Sequence, residues 1–295
     1  MSFRPDSELY TVIDDLELHE PVLIVALEGW IDAGLGASSA MATLLEDSPT
    51  DLLATFDNEI LVDQRARRPI ARIVDGVTES LTWPEIELRV GTDRLGRDVL
   101  YLIGPEPDVY WSAFVDAVVE LAERFEVRLV VGLGAFPAPS PHTRPVKLTA
   151  TAPIESARLL EQVSHVTGEL EVPAGVSAAL ELGFAASGID MITLWARVPH
   201  YVAAMAFPQA SIALIEGLGQ IAELSLGIGE LHEAAAISLR QIDELISSNP
   251  EHASMVRALE STMDATEGNP LGIEQIPSGD ELAAELEQFL RGEEL

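Results

Sequence analysis

The chain has 295 residues, 49 acidic against 17 basic side chains, a formal net charge of −32 and no cysteine. That charge excludes a surface built for nucleic acid or for anionic membranes, since both need basic faces. The absence of cysteine excludes disulfides, thiolate metal sites and thiol nucleophiles.

Hydrophobic residues make up 47% of the chain, enough for one large core with, at most, an appended subdomain. Residues 1–8 show no basic segment leading into an apolar run, and no uncharged apolar stretch approaches about 20 residues. The expectation is a soluble, cytoplasmic protein without a membrane partner.

In chain order, Tyr10–Ile13 reads as an edge strand. Pro21–Leu27 is a continuous β-branched and apolar run, the pattern of a strand buried on both faces. It ends in Glu28-Gly-Trp-Ile-Asp-Ala-Gly34, and the segment 33–46 is predicted to be a helix capped by Asp32. Asp51–Phe56 is a second strand. The segments 70–74, 80–83 and 86–90 alternate apolar and polar residues around an Asp75-Gly76 turn, which predicts hairpins with one wet face. Arg65-Ala-Arg-Arg68 just before them is the one dense basic cluster. It reads as a solvated turn or as a salt-bridged contact between subunits.

Asp98–Ile103 returns to the buried-strand pattern. Val109–Glu126 carries apolar residues at helical spacing. Arg128–Val131 is a buried strand expected to break at Gly132-Leu-Gly134 into a Gly/Pro loop that presents His142, Thr143 and Arg144. Lys147–Thr151 is a short strand and 156–164 a weak helix. A helix reaching Ala186 is closed by Ser187-Gly188. Ile189–Trp195 is another buried strand, and 208–226 is an amphipathic helix with Pro208 in its first turn. From Gly229 the strands stop. Segments 230–247 and 250–266 form an αα-hairpin joined at Ser248-Asn249, followed by a linker over 270–278 and a short acidic helix over 280–290.

Strands alternating with helices imply an α/β sandwich with a mostly parallel sheet. Ligand loops in such sheets lie beyond the carboxyl ends of the strands. The loops after Leu27, Val131 and Trp195 would bring Glu28, Asp32, His142, Thr143, Arg144, His200 and Tyr201 to one edge.

Three of these stretches also carry a resemblance. Residues 28–34, Gly134-Ala-Phe-Pro-Ala-Pro-Ser-Pro-His-Thr-Arg-Pro145 and Trp195-Ala-Arg-Val-Pro-His-Tyr-Val202 resemble, in that order, motifs of the proteasome assembly chaperone family, in its prokaryotic and especially actinobacterial branch. The resemblance spans about residues 10–225, and the helices of 229–295 are similar to the extension of the actinobacterial branch. This divides the chain into an α/β core over 1–228 and a helical C-terminal extension over 229–295. The resemblance implies a three-layer fold around a twisted mixed sheet, similar to the nucleoside phosphorylase/hydrolase class. It implies a homo-oligomer, taken as a trimer, with proteasome subunits as a protein partner. It carries no catalytic residues. The ending Arg291-Gly-Glu-Glu-Leu295 departs from the hydrophobic-Tyr-X tail through which eukaryotic members dock.

The residues leave several chemistries open. Gly132-Leu-Gly134 can cradle a phosphate or simply turn the chain. His142-Thr-Arg144 can bind an anion through the Arg fork or staple the loop to Glu28 or Asp32. His200 and Tyr201 can serve acid/base and stacking roles, or form an aromatic pair at a subunit contact. No G-x-S-x-G elbow or paired metal-binding histidine motif occurs, and no metal or cofactor is expected. The reading is therefore a non-enzymatic, oligomeric assembly-chaperone-like scaffold. The alternative is a phosphorylase- or hydrolase-like enzyme acting on a nucleoside or other small anionic ligand at the strand-end loops.

Overall fold

The computed structural model describes residues 9–14 and 16–267. Its strands are β1 (Tyr10–Val12), β2 (Val22–Glu28), β3 (Asp51–Phe56), β4 (Ile70–Val74), β5 (Val77–Thr82), β6 (Glu87–Thr92), β7 (Asp98–Pro105), β8 (Leu129–Ala138), β9 (Leu148–Thr151) and β10 (Asp190–Pro199). Its helices are α1 (Gly36–Asp47), α2 (Asn58–Leu61), α3 (Trp111–Arg124), α4 (Val176–Ser187), α5 (Pro208–Ala222), α6 (Leu231–Ser247) and α7 (Pro250–Glu267).

Eight strands form one sheet in the order β1-β3-β6-β7-β2-β8-β10-β9. The central four, β7-β2-β8-β10, run parallel, and the flanking pairs run antiparallel. The sheet is thus mixed, with the apolar runs of the sequence at its parallel centre, where both faces are covered. One face packs under α1, α5 and α6, through Ile24, Met41, Leu133, Leu194, Leu214 and Ile242. The other packs under α3 and α4, through Leu23, Leu102, Phe114, Val130, Leu180 and Phe184. The three-layer α/β sandwich expected from the alternation of strands and helices is the architecture observed.

Three local expectations differ from the structure. The helix expected from Ala33 begins at Gly36, because Gly34 (φ 64°) and Leu35 (φ 54°) turn left-handed within the short 3-10 segment Ala33–Leu35 that precedes it. Gly132-Leu-Gly134 is not a turn: β8 runs straight through it to Ala138. A Cβ on Gly134 would lie 2.4 Å from the Trp195 ring, and one on Gly132 would lie 2.8 Å from the Thr193 hydroxyl. These glycines leave room for large β10 side chains to lie across β8, and their amides belong to the sheet rather than to a phosphate cradle.

The third difference concerns the alternating segments. β6 joins the main sheet, whereas β4 and β5 pair only with each other. Every residue of β4 and β5 is exposed, so this hairpin has two wet faces rather than one. The linker over 270–278 and the acidic helix over 280–290 lie outside the described residues. Among the described residues no helix is long and apolar enough to cross a membrane.

Candidate functional site

The parallel strands β7, β2, β8 and β10 end along one edge of the sheet. β2 stops at Glu28, whose exposed side chain stands opposite Pro105, while its backbone carbonyl accepts the Glu106 N–H at 2.8 Å. Four residues on, Asp32 caps α1. Its carboxylate accepts from the Ala37 N–H at 2.8 Å, the Ser38 N–H at 3.0 Å and the Ser38 hydroxyl at 2.6 Å. Negative charge at a helix N-terminus is favourable both for the free amides and for the helix dipole. Neither Glu28 nor Asp32 holds the 142–144 loop.

That loop is held from elsewhere. The His142 side chain is 2% exposed. Its Nδ1 lies 2.7 Å from the Tyr201 hydroxyl, and its Nε2 lies 3.0 Å from Oδ1 of Asp243 on α6. A carboxylate only accepts, so Nε2 donates to Asp243. The same Tyr201 hydroxyl accepts the His142 backbone N–H at 2.8 Å. Thr143 donates to Glu260 on α7. Arg144 meets Asp264 through two parallel bonds, from Nε at 2.9 Å and from its second terminal nitrogen at 2.8 Å, and Glu260 at 3.4 Å. That fork-to-fork geometry is the strongest form of an Arg–carboxylate pair.

Tyr201 follows β10 in a short 3-10 turn, edge-on to both His142 and His200, with ring centroids at 5.8 and 5.3 Å. Burial raises its phenol to about 12, with help from the negative charges of Glu260 and Asp243 and against the His142 N–H. Tyr201 therefore stays protonated and acts as a hydrogen-bonding post. Asp264 is held below the ordinary carboxylate range, chiefly by the hydrogen bond from Arg144.

The structure thus brings His142, Thr143, Arg144 and Tyr201 together, with His200 beside them, while Asp32 serves the start of α1 and the Glu28 side chain is exposed at the end of β2. The sequence reading lacked the partners Asp243, Glu260 and Asp264. Glu260 and Asp264 stand four apart on one helix face, which is a usable signal. Among 49 acidic residues that spacing is common, so it does not single out this pair.

A second polar cluster was not foreseen. Glu181 of α4 accepts from Thr193 at 2.6 Å and from Thr151 at 2.7 Å, and the Trp195 indole donates to Thr151 at 3.1 Å. Burial raises the Glu181 carboxyl, and the two threonine bonds offset only part of that rise. Among the described residues no group of three or more His, Asp or Glu side chains is arranged to hold a metal ion.

The fold and this edge define a class: an α/β sandwich whose strand-end loop is bonded to α6 and α7. The chain belongs to the PAC2 family, whose model matches residues 26–246. A Corynebacterium glutamicum protein of unknown function is 32% identical over 90% of this chain and all of its own, with a TM-score of 0.83. A Mycobacterium tuberculosis proteasome-assembly chaperone homologue is 33% identical over 80% of this chain and 99% of its own, with a TM-score of 0.74. An archaeal proteasome activator from Pyrococcus furiosus is 17% identical over 81% of this chain and 99% of its own, and its TM-score of 0.61 shows a shared fold. No curated protein matches the chain.

Proposed function

We propose that this chain is a non-catalytic, oligomeric interaction scaffold of the assembly-chaperone kind. Its α/β core over 1–228 carries the contact surfaces, and the helical part from 229 locks the strand-end loop. Family membership and relatives that include proteasome-assembly chaperone homologues support this reading, with proteasome subunits as the partner class.

One observation carries it: the β4–β5 hairpin. A lone two-stranded hairpin is marginal in water. This one exposes Ile70 (74%), Ile73 (62%), Val77 (63%) and Leu81 (47%), with Trp83 exposed beside it. Large apolar side chains left exposed on both faces of one hairpin mark an interface. Arg65, Arg67, Arg68 and Arg72 lie in and just before it, in a chain of net charge −32. Arg65, Arg67 and Arg72 pair with Asp63, Asp108 and Glu79 of the same chain, so what the arm offers a second copy is mainly its apolar side chains. A contact between unlike patches closes into a ring when its rotation permits, and a trimer is such a ring.

Light scattering tests this. The wild type is expected at a multiple of 31.8 kDa, three chains in the specific case, and to gain mass when purified proteasome α-subunits are added. Ile73→Asp combined with Leu81→Asp is expected to return the mass of one chain with an unchanged circular dichroism spectrum. A wild type that runs as a single chain at micromolar concentration contradicts the reading.

A further inference from the structure

Six non-glycine residues among those described have a positive φ, and only Leu35 (φ 54°) and Tyr110 (φ 59°) carry large hydrophobic side chains. That left-handed region favours glycine, asparagine and aspartate, so a bulky residue holds it only where its surroundings impose it. Leu35 stands just before α1 and Tyr110 just before α3, and neither side chain bonds to the helix it opens. Neither packs into the core: Leu35 is 53% exposed and Tyr110 46%. The strained backbone thus turns two large side chains outward.

Both lie on loops that follow adjacent parallel strands, β2 and β7. The Glu106 N–H bond to the Glu28 carbonyl ties these loops together. On the other side Gly34 holds the 203–207 segment, donating to the Ala203 carbonyl at 2.7 Å and accepting the Phe207 N–H at 2.8 Å. The same loops expose Trp30, Val109 and Met205.

We infer that this strand-end surface of Trp30, Leu35, Val109, Tyr110 and Met205 receives the β4–β5 hairpin of a second copy of the chain. The inference rests on the oligomeric reading above and names the surface that the hairpin meets. A head-to-tail contact needs two unlike patches on one chain. The hairpin is one. It is exposed in its own chain, as these five residues are, so neither covers the other. Hairpin and surface also adjoin: Asp108, next to Val109, accepts the Asp63 N–H at 2.8 Å and pairs with Arg67 at the base of the hairpin. The arm therefore leaves from the rim of the surface, where rotation about a nearby axis carries it onto the same surface of the next copy. Charge agrees at the edge. Arg68 is exposed and stands outside the ion pairs of Arg65, Arg67 and Arg72, and exposed Glu28 offers it an opposite charge.

The chain has no cysteine, so introduced cysteines report contacts between chains without background. Val77→Cys in the hairpin and Val109→Cys in the surface are purified separately, mixed at high dilution, reconcentrated and treated with a short bismaleimide. The mixture is expected to give a two-chain species whose linked peptides join residues 77 and 109, and neither variant alone is expected to give one. Leu35→Gly separates assembly from folding, because glycine takes the left-handed conformation freely. It is expected to unfold at the wild-type denaturant midpoint or above it, and to weaken association about tenfold, the scale of truncating one well-packed interface side chain. A wild type that runs as a single chain removes the oligomer, and this inference with it. An oligomeric wild type overturns the inference alone if the mixture gives no link between 77 and 109, if Val77→Cys links to itself as readily, or if Leu35→Gly associates as tightly as wild type.

Discussion

His142, Thr143 and Arg144 stand side by side on one loop, and each ends in a bond to α6 or α7. The β4–β5 hairpin carries Ile70, Ile73, Val77 and Leu81, and each is exposed. The two regions invert the usual expectation that polar loops face outward and apolar strands inward. In the loop, charge on one element meets opposite charge on another, so polarity marks an internal seam. In the hairpin, apolar surface has no cover among the described residues, so exposure marks an outward contact.

The largest effect within the chain belongs to the seam. His142→Ala removes a buried imidazole that holds Asp243 and Tyr201 together. It is expected to cost roughly 2 kcal/mol in denaturant unfolding, since bonds to charged partners are worth about 1.5–3 kcal/mol. Tyr201→Phe, which keeps the ring and loses one hydroxyl, is expected to cost about 1 kcal/mol. A His142→Ala variant as stable as wild type breaks the comparison, because the loop would then be idle.

Glu181 sharpens it as a half-buried acid that belongs to neither region. Its carboxyl is raised, mainly by burial. A raised carboxyl favours its protonated form in the folded state, so its contribution is fully present below the unfolded pKa and is lost as pH rises through the folded one. Glu181→Gln is therefore expected to flatten the fall of stability with pH above about 4.3. An unchanged pH profile in that variant contradicts the assignment.

The smallest effect lies at the rim of the seam. Asp264 is lowered, chiefly by its bond from Arg144. The sign is opposite: this contribution is present above the unfolded pKa and is lost as pH falls through the folded one. Amide protection of α7 is expected to decline on acidification, and Arg144→Ala is expected to weaken that decline by removing the partner. An α7 whose protection follows pH identically in wild type and Arg144→Ala contradicts the pairing.

The sheet was legible because its central strands are long apolar runs, and Val22–Glu28 and Asp98–Pro105 fall where such runs predict them. The αα-hairpin was legible from the helical spacing of Leu231, Ala235 and Ile242, all buried. Gly132 and Gly134 misled because glycine signals a turn locally, whereas here it answers the bulk of Trp195 and Thr193 on a neighbouring strand. The isolation of β4–β5 was hidden for a similar reason: alternation reveals pairing, and only the sheet order reveals that, among the described residues, no other strand joins the pair. The partners of His142 and Arg144 on α6 and α7 lie 101 to 120 residues away, beyond any local pattern.

Hydrogen exchange of the wild-type protein across a concentration series tests the contrast directly. Residues 70–82 are expected to be protected at high concentration and to lose protection on dilution, while α6, α7 and the 142–144 loop stay protected throughout. Exchange in 70–82 that ignores concentration, or a loop and helices that follow it, contradicts the account.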